Sequence, residues 1–264
     1  MLSRGLLAAL LWLLAVEAPA QVLVSQEQVE IRLHRQSDRD LLEAENLDSL
    51  APRHLVLDLI DPDDVLASEP LPVRVVLRPR ESREVVSLTR RDPDRTFSYH
   101  LDTRIGFGDP EARVDADFVY SLPFGEDTPC RVTQGYDGPY THQGIKALDF
   151  QMDEGTVVRA ARDGVVVRVK DDSDRGGLDP SYAEDANYVD ILHRDGTWAT
   201  YVHLQKGGAL VRVGQRVSQR EEIGRSGATG QVAGPHLHFA VLRATWSGPV
   251  TLPTTFETGS GLDF

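Results

Sequence analysis

The chain of 264 residues contains one cysteine, Cys130. No internal disulfide can form, so stability has to come from packed cores. Cys130 sits between Pro129 and Arg131 in a turn-rich stretch and reads as structural; a thiol nucleophile is the lesser reading. Basic residues are also scarce, with 28 Lys and Arg against 41 Asp and Glu and a net charge of -13. That balance argues against nucleic acid or an anionic membrane surface as the main partner, because phosphate binding needs clustered cations. Long apolar runs are missing after the N-terminus. The first, Gly5 to Val16, is about a dozen residues, short of the roughly twenty that span a bilayer. Sustained helical periodicity is missing as well.

What the N-terminus does have is the pattern of a signal peptide over residues 1–20. Arg4 supplies the positive start, the apolar run follows, and Ala18-Pro19-Ala20 offers small residues at the cleavage positions. The expectation is export to the periplasm or the medium, with a mature chain beginning near Gln21. Removal of Arg4 and Glu17, one charge of each sign, leaves the net charge at -13. No cysteine follows the cleavage position directly, which removes the usual route to lipid attachment.

From Val22 to about Tyr120, short β-branched runs alternate with turn formers such as Asp61-Pro62-Asp63-Asp64 and Gly108-Asp109-Pro110. Strands are expected at Val29 to Leu33, Leu55 to Leu59, Val73 to Leu77, Val85 to Leu88, Thr96 to Leu101 and Val114 to Val119, as in a small β-sandwich. One helix is expected, over Asp38 to Leu50, where Leu, Glu and Asp concentrate. The second half is also β-rich. Strands are expected at Val157-Val158, Val165 to Val169, Tyr188 to Leu192, Trp198 to Leu204, Leu210 to Val213 and Leu237 to Leu242. The prediction is an all-β protein with two domains, 21–118 and 119–264, joined within 105–122, where Gly, Pro and charge cluster.

Five of the eight histidines lie in the second half. His236 and His238 flank Leu237, and on a strand residues two apart project from one face at roughly 6.5 to 7 Å. Both imidazoles then address one site while Leu237 and Phe239 enter the core; two surface histidines on a half-exposed strand are the plainer alternative. Asp195-Gly196 reads as a two-residue hairpin turn. Counting outward pairs His193 with Trp198 and Tyr188 with His203. This leaves His193 solvated near the turn and His203 at the far end, available to the pair at 236 and 238. His142 and Asp149 complete a possible set, since a catalytic zinc site takes three ligands from His and carboxylate and leaves a position for water. The alternative is that His142 caps a turn and Asp149 is a surface acid.

Taken together, His142-x-Gly144, Asp149, Gly155-Thr156-x-Val158, Tyr201-x-His203-Leu204 and Gly234-Pro235-His236-Leu237-His238-Phe239 resemble the lysostaphin-type, or LytM-like, zinc endopeptidases of peptidoglycan. The resemblance covers roughly 130–245, in the family's order. It implies an antiparallel β-sheet peptidase domain, one catalytic zinc ion, and peptidoglycan cross-link peptides as substrate. In the family's short form the aspartate lies four residues after the first histidine, a place that Lys146 occupies here. Asp149 keeps the family's interval to Gly-Thr, so the three extra residues fall in the loop after His142. The resemblance thus implies zinc ligation by His142, Asp149 and His238 and catalytic roles for His203 and His236. His236 is taken as general base and His203 as the group that meets the oxyanion or orients the water, an allocation that can be exchanged.

Other signals are weaker. Gly224, Gly227 and Gly230 lack the spacing and the following helix of a dinucleotide loop and read as the turn before the His236 strand. Asp171-Asp172-Ser173-Asp174 fails the calcium-loop pattern, since Ala183 stands where the bidentate acid belongs. A solvated loop bordering the cleft is expected. Two rival functions are a LytM-like regulator without enzymatic activity, which the filled ligand positions disfavour, and a zinc peptidase of proteins. Latency, with the N-terminal domain or the 170–187 loop covering the site, is a further possibility.

Overall fold

The computed structural model describes residues 20–257; the signal peptide expected over 1–20 lies, but for Ala20, outside the described residues. The fold is all-β. In the first half the strands are β1 (Gln21–Gln26), β2 (Val29–Arg35), β3 (Arg39–Asn46), β4 (Arg53–Asp63), β5 (Val65–Ala67), β6 (Val73–Leu77), β7 (Ser82–Arg90) and β8 (Ser98–Phe107). They form one sheet in the order β1-β2-β3-β7-β5 and a second in the order β6-β4-β8. Alternate residues close between them: Val29, Ile31 and Leu33 from β2, Leu55 and Leu57 from β4, Val86 and Leu88 from β7. This is the period-two burial of a sandwich.

The helix expected over 38–50 is a strand followed by a turn. Asp40, Leu42, Ala44 and Asn46 are buried in alternation, and the glutamates between them face charged partners on β2. Arg32 meets Glu45 and His34 Nε2 lies 2.6 Å from Glu43. Cross-strand pairs of this kind outweigh the helix preference of Leu, Glu and Ala. Val114 to Val119 is likewise not a strand: only β9 (Val119–Tyr120) forms there. Leu210 to Val213 is irregular, because the preceding strand already ends at Ala209.

The second half continues with β10 (Arg131–Gln134), β11 (Ala147–Gln151), β12 (Val157–Arg159), β13 (Gly164–Lys170), β14 (Gly176–Gly177), a 3-10 turn at Pro180–Asp185, β15 (Tyr188–Leu192) and β16 (Trp198–Val202). Then come β17 (Leu204–Ala209), β18 (Arg216–Val217), β19 (Glu222–Ser226), β20 (Gly230–Gln231), β21 (His236–Arg243), β22 (Val250–Leu252) and β23 (Thr255–Phe256). The main sheet runs β10-β11-β21-β16-β15-β13-β18, all antiparallel, with β22 also against β21. A smaller sheet, β12-β19-β17, accompanies it. Phe150, Tyr201 and Phe239 are fully buried in the core of this half.

The hairpin around Gly196 differs from expectation by one residue. Leu192 pairs with Trp198 and Tyr188 with Val202, while the His193 amide donates to the Thr197 carbonyl at 2.8 Å. The loop is therefore Arg194-Asp195-Gly196, three residues with Gly196 at φ 82°, the form that places glycine in the left-handed region. His193 is not solvated: it is 3% exposed, and its Nδ1 donates to the Asp163 carbonyl at 2.8 Å.

The two halves meet on the face of the main sheet that carries Trp198 and Asp190. The Phe107 ring stands edge-on to Trp198, centroids 4.9 Å apart, and the Arg53 and Arg168 guanidinium groups lie over it at 5.1 and 4.7 Å. Arg168 also reaches Asp190 at 2.7 Å, and Asp190 is only 2% exposed.

Candidate active site

Register places the site residues in one row across the main sheet. Gln134 pairs with Asp149, Asp149 with His238, and His238 with Val202. Alternation then decides which way each side chain faces. Leu148 and Phe150 enter the core and Asp149 between them turns to the other face; Leu237 and Phe239 enter the core and His236 and His238 turn out. His203 follows Val202 directly, in a left-handed backbone conformation at φ 69°. That is a sparsely populated region for a non-glycine residue and costs of order 1–3 kcal/mol, the kind of strain found at functional sites. His142 arrives from the loop between β10 and β11, held by its Nδ1 donating to the Gly135 carbonyl at 3.0 Å.

All five residues expected from the sequence therefore come together. Their geometry separates them into two sets. His142 Nε2 lies 3.2 Å from Asp149 Oδ1 and 3.2 Å from His238 Nδ1, and His238 Nδ1 lies 2.9 Å from the same carboxylate oxygen. Two nitrogens and an oxygen form a triangle about 3 Å on a side, close to the edge of roughly 3.3 Å that zinc bonds of about 2.0–2.1 Å give in a tetrahedron. The electrostatics agree. Burial alone would raise the Asp149 carboxyl, but hydrogen bonds from His142 and His238 hold it well below the carboxylate range. Burial would lower His142, yet Asp149 draws it upward. The donors thus surround a point that favours positive charge, and they fit a divalent zinc ion.

His203 and His236 form the second set, ring centroids 4.6 Å apart. His203 Nδ1 faces the Thr229 carbonyl at 2.7 Å and His236 Nδ1 faces the Gly234 carbonyl at 2.9 Å. A carbonyl only accepts, so each Nδ1 carries the proton and each Nε2 presents a lone pair. Burial, then the neighbouring His236 and His238, push the His203 pKa down to about 3, which keeps the ring neutral. His236 Nε2 stands 3.8 Å from Asp149 Oδ1, beside the ligand triangle.

Asp149, His203, His236 and His238 line a cleft of about 780 Å³, and His142 lies buried behind them. One wall carries Leu178, Ala183 and Ala186 from the acidic loop, and the other carries Tyr140 and Thr141. Tyr140 and Leu178 are 83% and 74% exposed. No described residue of the first half lines the cleft. Among the described residues the lining has no Lys, Arg or Glu, and Asp149 is its one carboxylate.

Residues 141–249 match the family model described as Peptidase family M23. That stretch of the chain is similar to the family's peptidase domain. Peptidoglycan DD-endopeptidase ShyA of Vibrio cholerae is 36% identical over 122 residues, covering 44% of this chain and 26% of that protein. ShyC of the same organism, also named a peptidoglycan DD-endopeptidase, is 41% identical over 108 residues, 39% of this chain and 22% of its own length. Glycyl-glycine endopeptidase ALE-1 of Staphylococcus capitis is 38% identical over 120 residues, 43% of this chain and 29% of its own. The chain thus spans about a quarter of the length of the curated relatives it matches.

Within the M23 segment, the residues that were set aside as ligands stay outside the cluster. Lys146 forms an ion pair with Asp137, and His193 lies against Asp163 and Tyr120, away from the cleft. Cys130 packs against the core, and burial raises its thiol to about 11, so it is protonated at neutral pH. Gln134 was not visible as a site residue in the sequence. It is buried beside the cluster of His142, Asp149 and His238, and only its pairing opposite Asp149, a long-range fact, brings it there.

Proposed function

We propose that the protein is a zinc-dependent endopeptidase that cuts peptide bonds in peptidoglycan cross-links. His142, Asp149 and His238 would hold the ion, and the single observation that carries the reading is their donor triangle, two members of which, Asp149 and His238, line the cleft. A zinc ion held there supplies Lewis acidity, polarising a carbonyl and lowering the pKa of water toward neutrality.

This chain's own residues do the rest. His236, with Nδ1 anchored on Gly234, accepts the water's proton at Nε2 and returns it to the leaving amine. His203, half-buried and neutral with Nδ1 held by the Thr229 carbonyl, orients the water through Nε2. The cleft favours an internal bond over a terminal one. A carboxypeptidase needs a cation for the substrate's terminal carboxylate and an aminopeptidase a spare anion for its ammonium, and the lining supplies neither. Its small and neutral surfaces at Ala183, Ala186, Ala233 and Gly234 suit a peptide of small residues.

The reading extends to the whole chain. Residues 21–118 and 119–264 form two domains, each with its own core, and the first packs at the Trp198 end of the main sheet, on the face that carries His238, without lining the cleft. The protein is exported through its signal peptide and works on the wall.

The test is digestion of purified peptidoglycan with identification of the released fragments, alongside chelator-treated and His142→Ala protein. The expected result is release of cross-link peptides by the untreated protein, with a loss of at least a hundredfold in both controls. Untreated protein that holds one zinc and releases nothing overturns the endopeptidase reading.

A further inference from the structure

Gln134 sits at the inner end of β10, directly across from Asp149, and is buried at the floor of the cleft. Its amide is used at both ends. Nε2 donates to Asp149 Oδ2 at 2.9 Å and to Thr141 Oγ1 at 2.8 Å. Oε1 accepts from the Tyr140 and Thr141 amides, both at 3.1 Å. One side chain therefore grips the carboxylate of β11 and the loop that ends in His142.

We propose that Gln134 is the positioning residue of the metal centre: it fixes the Asp149 carboxylate through Oδ2 and sets the loop that delivers His142. This rests on the reading of His142, Asp149 and His238 as zinc ligands. Asp149 has two equivalent oxygens and a rotatable terminal torsion, so nothing intrinsic to it selects which oxygen faces the two imidazoles. With Oδ2 held by the Gln134 amide, Oδ1 alone remains for His142 and His238. Free of that bond, the carboxylate can swing and present both oxygens. Residues that hold a ligand in this way change metal affinity by about 10- to 100-fold when removed.

The length of the side chain is part of the argument. The β10–β11 pairing shifts register between Val132 and Gln134, and from that backbone position the amide must reach both Asp149 and the amides of Tyr140 and Thr141. Asparagine carries the same groups on a stem one methylene shorter and cannot keep both contacts. Methionine fills the same length and volume and makes none of them.

The experiment uses the full mature chain as wild type, Gln134→Met and Gln134→Asn. Zinc affinity is measured by competition with a chromophoric chelator, the visible spectrum of the cobalt-substituted protein reports the ligand geometry, and unfolding of metal-free protein reports the fold. Expected are a 10- to 100-fold loss of zinc affinity in both variants and a weaker cobalt band, as four-coordinate geometry gives way to higher coordination. Both effects should appear below each variant's metal-free unfolding midpoint. Zinc affinities within threefold of wild type, with an unchanged cobalt band, overturn the proposal, whatever the variants do to the unfolding midpoint. A wild type that takes up no more zinc than Asp149→Ala gives a different pattern and overturns the ligand reading beneath it.

Discussion

His193, buried, and His203, half-buried, both rest Nδ1 on a backbone carbonyl, yet they stand on opposite sides of the chemistry. His203 opens into the cleft. His193 is closed off against Asp163 and Tyr120, and burial pushes its pKa down to about 4. A group depressed in the folded state from an unfolded value near 6.5 contributes stability that is present above pH 6.5 and lost as pH falls toward 4, because the unfolded chain takes up the proton first. Between pH 7 and pH 5 that loss is about 2 kcal/mol. His193→Phe should remove it. The check is urea unfolding at both pH values: the variant's stability should fall by about 2 kcal/mol less than the wild type's, and equal falls would refute the assignment. Residue identity was legible where alternation governs, as for His236 and His238 about Leu237, both of which turn away from the core. It was not legible for His193, whose burial depends on Asp163 and Tyr120, thirty and more positions away.

The wall of the cleft is the element whose behaviour the sequence foretold least. The acidic stretch after Lys170 has the composition of a free loop, and its charged tips are indeed exposed. Its interior is fixed. β14 pairs in parallel with β20, and the fully buried Asn187 donates to the Ser173 and Leu204 carbonyls at 2.8 and 3.2 Å while accepting from the Ser173 amide. A latch by this loop, one of the possibilities left open by the sequence, would first have to break those bonds. Gly230 stands at φ 84°, and a Cβ there would come within 2.5 Å of the Ala186 Cβ. Gly230→Ala should therefore push Ala183 and Ala186 outward, raising KM on cross-link peptides by roughly tenfold, about 1.4 kcal/mol of binding, while zinc content stays at one per chain. Steady-state kinetics and metal analysis on the same sample decide it; an unchanged KM would mean the wall does not touch substrate. Elsewhere the strands with clean alternation, such as β21, were legible. β3 and the hairpin at Gly196 were not, since one depends on charges across the sheet and the other on a loop one residue longer than Asp-Gly alone suggests.

At the scale of the molecule, the contact at Phe107 matters most. Its ring covers Trp198 and carries two guanidinium groups, one of them paired with the buried Asp190. Phe107 is only partly buried, and Phe107→Ala should cost about 1–3 kcal/mol through the lost packing. It should also uncouple the halves, so that calorimetry shows two transitions where the wild type shows one. A single transition, shifted only slightly, would mean the halves do not depend on this contact.

The Trp198 end of the main sheet's site-bearing face is therefore not a surface suited to water. Anyone wishing to move the second half onto another carrier inherits that obligation. A graft cut after Phe107 would display Trp198, Ala244 and a buried ion pair to solvent, an invitation to aggregation. A serviceable transplant would either keep Phe107 and the strand that carries it or replace Trp198, Arg168 and Asp190 together with a self-contained polar face.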